Sequence, residues 1–375
     1  MIVKDEAHVI ERCLKSVKSL IDEVVIVDTG STDNTIEIIN NFLKNNDLPG
    51  KVIEDSWKGF AHGRTLALKE SRKTNCDYSL MIDADEVLSF RKGFDIEEFK
   101  KSLHHDVYDI PTNMADTIYY RPTLTSNKKE LRYVGVVHEF LDSKGGFSRG
   151  QVDHETQFFN NPIQDSARNK NPRKIQDDAA LLEEAIANET EDFLKARYTF
   201  YAAQSYKDST ASIVEPEERM EFAQKAIDLY LKRIKMGHWK EECYQSCLKA
   251  GNLQEDLKYP EETIICTYLK GLEFNAERAE IYYYLTKYCR THDRNHFAYT
   301  LSKGALNKTI KRSFLFTEKW IYDFGILDEF AISAYWSGHY KESYDACQKL
   351  IKNPLLPPIQ HKRIQQNLNF AKDRL

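Results

Sequence analysis

The stretch Val24-Val25-Ile26-Val27-Asp28-Thr29-Gly30-Ser31-Thr32-Asp33-Asn34-Thr35 decides the fold class. It reads as a buried β-branched strand running into a polar turn, and Ile36, Ile39 and Phe42 then recur at helical spacing. The same alternation extends on both sides. Met1-Ile2-Val3 is an apolar stub ahead of a helical stretch from Ala7 to about Leu20. The stub is short for a central strand, as expected if the natural start was trimmed or mis-called. Downstream, Lys51-Val52-Ile53 reads as a third strand and Gly63 to about Arg72 as a helix. Tyr78-Ser79-Leu80-Met81-Ile82 is a fourth strand ending at Asp83. Strands alternating with helices predict an α/β domain with a parallel sheet.

The pattern changes further along. Short strands with polar loops are predicted at 107–110, 117–120, 133–137 and 157–159, and the two Asn-Pro steps at 161–162 and 171–172 mark a boundary. Beyond them the chain reads as helical. Residues 196–206 with 223–230, and 331–340 with 346–351, carry a tetratricopeptide-like rhythm of small and aromatic residues, though a plain helical domain fits too. The expected domains are 1–160 and 161–375.

Composition narrows the classes. The 375 residues exceed what one core usually serves. A net charge of −5 gives no footprint for a nucleic-acid partner. No apolar run reaches the roughly 18–20 residues of a membrane span, and residues 1–12 carry charges where a signal peptide would be apolar. Seven scattered cysteines suit reduced, buried thiols, so a cytoplasmic protein is expected.

Two acidic turns carry the candidate chemistry. Asp28 ends its strand where α/β sheets bind nucleotides, and its carboxylate suits a ribose hydroxyl or a base N–H. A plain turn with the capping residues Ser31, Thr32 and Asp33 explains the same residues equally well. At the end of the fourth strand, Ile82-Asp83-Ala84-Asp85-Glu86 sets two carboxylates two residues apart. On an extended chain they point the same way and suit one hard dication bridged to a diphosphate.

Together these stretches resemble the nucleotide-sugar motifs of family-2 glycosyltransferases with the GT-A fold. Met1-Ile2-Val3-Lys4-Asp5-Glu6 is similar to that family's first strand and loop. Phe60-Ala61-His62-Gly63-Arg64 is similar to a segment whose Arg approaches the nucleotide. Arg132-Tyr133-Val134-Gly135-Val136-Val137-His138-Glu139 resembles a block of the subgroup with a helical-repeat extension. The resemblance implies a GT-A nucleotide-sugar-binding domain with a Rossmann-like mixed sheet, followed by an all-α TPR-like domain. It implies a donor, commonly a UDP-sugar, held by Val3, Asp5, Glu6, Asp28, Arg64, Asp83 and Ala84. Manganese or magnesium is implied at Asp83 and Asp85, with His154 as a further ligand. Transfer would be inverting, with Glu139 as the base and Glu155 and Asp116 as rivals; Arg132 is a second candidate for the diphosphate.

The helical half offers no chemistry of its own. Cys243, Cys247 and His238 lack a fourth zinc ligand at useful spacing. The expected roles of this half are docking a saccharide or peptide acceptor, forming a homodimer, or bracing the catalytic domain. Two further readings compete with a glycosyltransferase. One is a nucleotide-sugar-binding scaffold without turnover. The other is a sugar nucleotidyltransferase, which lacks a glycine-rich, Lys-bearing loop at strand one.

Overall fold

The computed structural model describes residues 1–114, 117–311 and 314–375. Asp116, a rival candidate for the base, lies outside them. The chain divides into two compact units, Met1–Leu181 and Leu182–Leu375.

The first unit begins with alternating elements: β1 (Ile2–Val3), α1 (Ile10–Val17), β2 (Val24–Asp28), α2 (Thr35–Asn45), β3 (Gly50–Glu54), α3 (Phe60–Ser71) and β4 (Tyr78–Leu80). β1, β2 and β3 form a parallel sheet in that order. Val24 and Ile26 of β2 are buried in one core with the α1 face of Ile10, Cys13, Leu14 and Val17, whereas Val27 is buried in another with Ala67 and Leu68 of α3. Then follow β5 (Glu86–Phe90), α4 (Ile96–Ser102), β6 (Val107–Met114), β7 (Thr117–Ser126), β8 (Arg132–Val134), β9 (Phe140–Asp142), β10 (Arg149–Gln151) and β11 (Phe158–Pro162). A second, mixed sheet has the order β4-β7-β6-β11-β5, with β10 on β6, and β8 and β9 form a separate ribbon.

The expected α/β architecture is thus present, in two sheets. β4 pairs antiparallel with β7, rather than with β1, among the described residues. The unit also runs past the expected boundary at 160. β11 occupies 158–162 as an inner strand between β5 and β6. After it, residues 163–170 are hydrogen-bonded to the turns that follow β1 and β4. Asn-Pro steps mark loops, and here the loop belongs to the first unit.

Helices follow: α5 (Lys174–Asn188), which spans the division at 181, then α6 (Asp192–Ser209), α7 (Pro216–Met236), α8 (Lys240–Asp256), α9 (Glu261–Phe274), α10 (Glu280–Thr291), α11 (Asn295–Ala305), α12 (Ile326–Trp336), α13 (Tyr340–Ile351) and α14 (Pro358–Lys372). From α6 onward successive helices pack on one another, with aromatic and small residues such as Tyr244, Tyr268, Ala298, Phe330 and Ala334 in their cores, as in TPR-like repeats. Their interior also buries charge. Arg278 is fully buried between Glu280 and Glu241, with its guanidinium over the Tyr244 ring. Cys243 and Cys247 are core residues of α8. No described helix is long and apolar enough to cross a membrane.

Candidate active site

The turns after β1 and β2 are laced together. Asp5 takes a positive φ of 56°, and its carboxylate accepts from the backbone N–H of Thr32 (2.7 Å) and from Thr32 Oγ1 (3.1 Å). In return, Ser31 Oγ accepts from the Asp5 N–H, Thr35 Oγ1 from Glu6 and Asp33 Oδ2 from Ala7. Val3 is buried in β1 and accepts from the Thr29 N–H and hydroxyl. Asp28 is buried, and its carboxylate accepts from Gly30 N–H, Ser31 N–H and Ser31 Oγ at 2.9, 2.8 and 2.5 Å. Three of its roughly four lone-pair positions thus hold the turn, leaving about one for a ligand.

The turn after β4 gathers charge. Asp83 Oδ1 accepts from Arg64 at 2.8 Å, and Asp83 Oδ2 lies 3.8 Å from Arg121 of β7. Arg121 also pairs with Glu86, whose side chain is almost wholly buried. Arg64 turns its Nε to within 2.7 Å of Glu139 Oε1, in ion-pair contact but off the line of the N–H. Beneath it lies the Tyr133 ring, 5.8 Å from the guanidinium carbon.

The electrostatics follow from this packing. Desolvation alone would raise the Asp83 carboxyl, but Arg64 and Arg121 outweigh it and hold it below its usual range. Burial, then the charge of Asp83, pushes Glu86 up. Burial would lower Arg64, yet Asp83 and Glu139 more than offset it, so the guanidinium stays charged. The Tyr133 phenol, desolvated, is pushed up to about 12.

Asp85 and Glu6 face a different partner. Asp85 Oδ2 accepts from Ser166 N–H at 3.2 Å and from the Asn169 side-chain amide at 2.9 Å. Glu6 Oε2 accepts from Ala167 N–H at 3.3 Å. Arg12 clasps Asp165 of the same segment with two bonds of 2.8 and 2.6 Å. Burial pushes the Glu6 carboxyl up to about 7.

Of the residues expected in one site, the structure brings Arg64, Asp83 and Glu139 into contact, with buried Ala84 in the same turn. Asp85 and Glu6 sit under residues 166–169. His154 is not brought to these carboxylates: its ring meets Glu155 (2.6 Å), Asn113 (3.1 Å) and Arg91 (3.3 Å). Among the described residues, no three His, Cys, Asp or Glu side chains gather as a metal group. Arg132 is an exposed ribbon residue paired with Asp142, and Glu155 is 77% exposed. Arg121, Glu86 and the 166–169 segment are the members that sequence reasoning missed. Glu86, an acid heading an apolar strand directly after the two aspartates, was the one available signal.

Comparison with known proteins bears on this geometry. Residues 1–126 match the family described as Glycosyl transferase family 2. The N-terminal unit carries a family-2 glycosyltransferase domain. Its sheets and helices are GT-A-like, as expected. An uncharacterized glycosyltransferase of Rickettsia felis is 40% identical over 108 residues, covering 29% of this chain and 35% of that protein. A TPR repeat-containing protein of Synechococcus elongatus is 30% identical over 147 residues, covering 38% and 34%. The matches thus span about a third of the length of these relatives. A looser structural likeness is to S. aureus TarS 1-349 in complex with UDP-GlcNAc: TM-score 0.38, 13% identity, 69% of this chain and 91% of that one.

Proposed function

We propose that the chain transfers a sugar from a nucleoside-diphosphate sugar, UDP-linked by preference, to an acceptor hydroxyl or thiol. One observation carries this reading: Asp83 is gripped by two arginines where β4 ends, and one of them, Arg64, also holds Glu139. A guanidinium fork that pairs a carboxylate pairs a phosphate oxygen as readily. When a diphosphate enters, Arg64 and Arg121 exchange Asp83 for phosphate oxygens, and Glu139 is released towards the acceptor.

In the transfer, the acceptor oxygen or sulfur bonds to the anomeric carbon as the bond from that carbon to the phosphate oxygen breaks. Glu139 takes the acceptor proton, and the nucleoside diphosphate leaves. Attack opposite the leaving group inverts the anomeric centre. Carboxylate oxygens suit a hard dication. Magnesium or manganese would therefore be held by Asp83 and Asp85, without His154, and would neutralise the departing diphosphate. Asp5, Asp33 and Asp28 keep the two nucleotide-side turns in register.

A thermal-shift screen of UDP-, GDP- and TDP-sugars, with and without manganese, tests the donor reading. At a donor concentration of 100 times Kd, binding stabilises the folded state by about 2.7 kcal/mol. Asp83→Asn should abolish the manganese-dependent part of that shift and leave the ligand-free melting within a few degrees of the parent. A shift unchanged in Asp83→Asn would make the acidic turn a bystander. Binding without release of nucleoside diphosphate would favour the scaffold reading, which gains from Glu139 being tied to Arg64.

A further inference from the structure

Asp85 is 7% exposed and forms no ion pair among the described residues. The arginines of this region are engaged elsewhere: Arg12 by Asp165, Arg64 by Asp83 and Glu139, Arg121 by Glu86. A buried carboxylate without a counter-ion is costly. Neutral donors from one segment hold it at both ends. The Ile163 N–H donates to the Asp85 backbone carbonyl at 2.9 Å. The Ser166 N–H and the Asn169 side-chain amide both donate to a single carboxylate oxygen, Oδ2, at 3.2 and 2.9 Å. Oδ1 takes no hydrogen bond among the described residues, so it is the oxygen left for a ligand.

Chemistry fixes which way the Asn169 amide points. Lys174 Nζ, which can only donate, lies 2.6 Å from Asn169 Oδ1. The amide nitrogen is therefore the end that faces Asp85, and a carboxylate can only accept from it. Lys174 is also the first residue of α5, where a cation opposes the helix dipole. The bond to Asn169 gives the lysine a reason to stand there that the helix does not.

We propose, resting on the sugar-transfer reading above, that Asn169 and Lys174 are positioning residues for the cation of the donor diphosphate. With the Ser166 N–H they pin Asp85 Oδ2 and thereby present Oδ1 to a dication. Carboxylates that hold a metal are themselves oriented by hydrogen bonds. The donors that touch Asp85 are neutral, so they orient the carboxylate without cancelling the charge that attracts the cation. Lys174, placed directly on Asp85, would cancel it; placed one residue away, it sets only the amide. Asp83 has no comparable support, because both of its oxygens face arginines.

Manganese binding to the full chain at saturating UDP, read from the electron paramagnetic resonance of free manganese, tests this assignment. Asn169→Leu, close in volume but without a donor, should weaken manganese binding about 10–100-fold. Lys174→Met should weaken it about tenfold, and Lys174→Arg, which keeps a donor, should return it to within about threefold of the parent. UDP affinity without metal should match the parent in all three variants, which general damage to the fold would not allow. If Asn169→Leu does not fold, Lys174→Met and Lys174→Arg decide the matter between them. Parent-like manganese affinity in Asn169→Leu, or in Lys174→Met where that variant is the one measured, would overturn this proposal and leave the donor reading standing. A parent chain that binds no manganese with UDP, GDP or TDP would overturn the acidic turn as a metal site as well.

Discussion

Glu6 shows how one residue's surroundings become a measurable pH dependence. The residue is 7% exposed, and burial lifts its carboxyl from 4.5 to about 7. The folded state therefore holds this proton more tightly than the unfolded chain. The stability this confers is complete below about pH 4.5 and is lost as the pH rises through 7. Glu6→Gln cannot lose that proton. Its Tm should match the parent near pH 4.5 and exceed it at pH 8, with a flatter profile between. Identical profiles would mean that Glu6 stays ionised against Ala167 throughout. At this scale the sequence displayed residue types but not pairings. Asp83 was legible as a candidate because an apolar strand delivers it. Its partners Arg64 and Arg121 are distant in sequence, and only the antiparallel pairing of β4 with β7 brings Arg121 alongside. Glu139 is aimed by a local device: Gly135 has φ 116°, and a Cβ there would lie 3.3 Å from the Glu139 Cα.

Among the elements, close packing reverses a helix-propensity argument at Gly251 of α8. Replacing a mid-helix glycine by alanine normally stabilises by about 0.5–1 kcal/mol. Here the added Cβ would lie 2.5 and 2.8 Å from atoms of the Tyr268 ring on α9. That ring is fully buried, and overpacking costs roughly 1–3 kcal/mol. Gly251→Ala should therefore lower stability by about 1–2 kcal/mol in denaturant titration, and a gain would show that the two helices separate freely. The elements legible in sequence were those with strong local period. β2 runs Val24–Asp28 and α2 starts at Thr35, much as the pattern implies. β11 and the 163–170 segment were not legible. The register of one comes from β5 and β6, and the place of the other from Asp85, Glu6 and Arg12.

For the whole molecule, residues 163–170 decide where the first unit ends. They hold Asp85, Glu6 and Arg12 through Ser166, Asn169, Ala167 and Asp165. A chain ending at 188, after α5, should melt cooperatively and bind donor. One ending at 160 cuts through β11 and should melt several degrees lower or fail to fold. Equal melting of the two would return the boundary to 160. The catalytic residues proposed above all precede 140, so the longer fragment should still hydrolyse donor slowly, while transfer to the natural acceptor needs the helical unit.

The central claim is that this charged turn performs sugar transfer with Glu139 as the base. Its most direct test is the rate of nucleoside-diphosphate release from a bound nucleotide-sugar, in the presence of manganese and acceptor, for the parent and Glu139→Gln. Glutamine keeps the shape and one acceptor oxygen but cannot take a proton. Donor affinity should stay within a few-fold of the parent while the rate falls by about 10²–10⁴. Release at the parent rate in Glu139→Gln, or none from the parent with any nucleotide-sugar, would contradict the account.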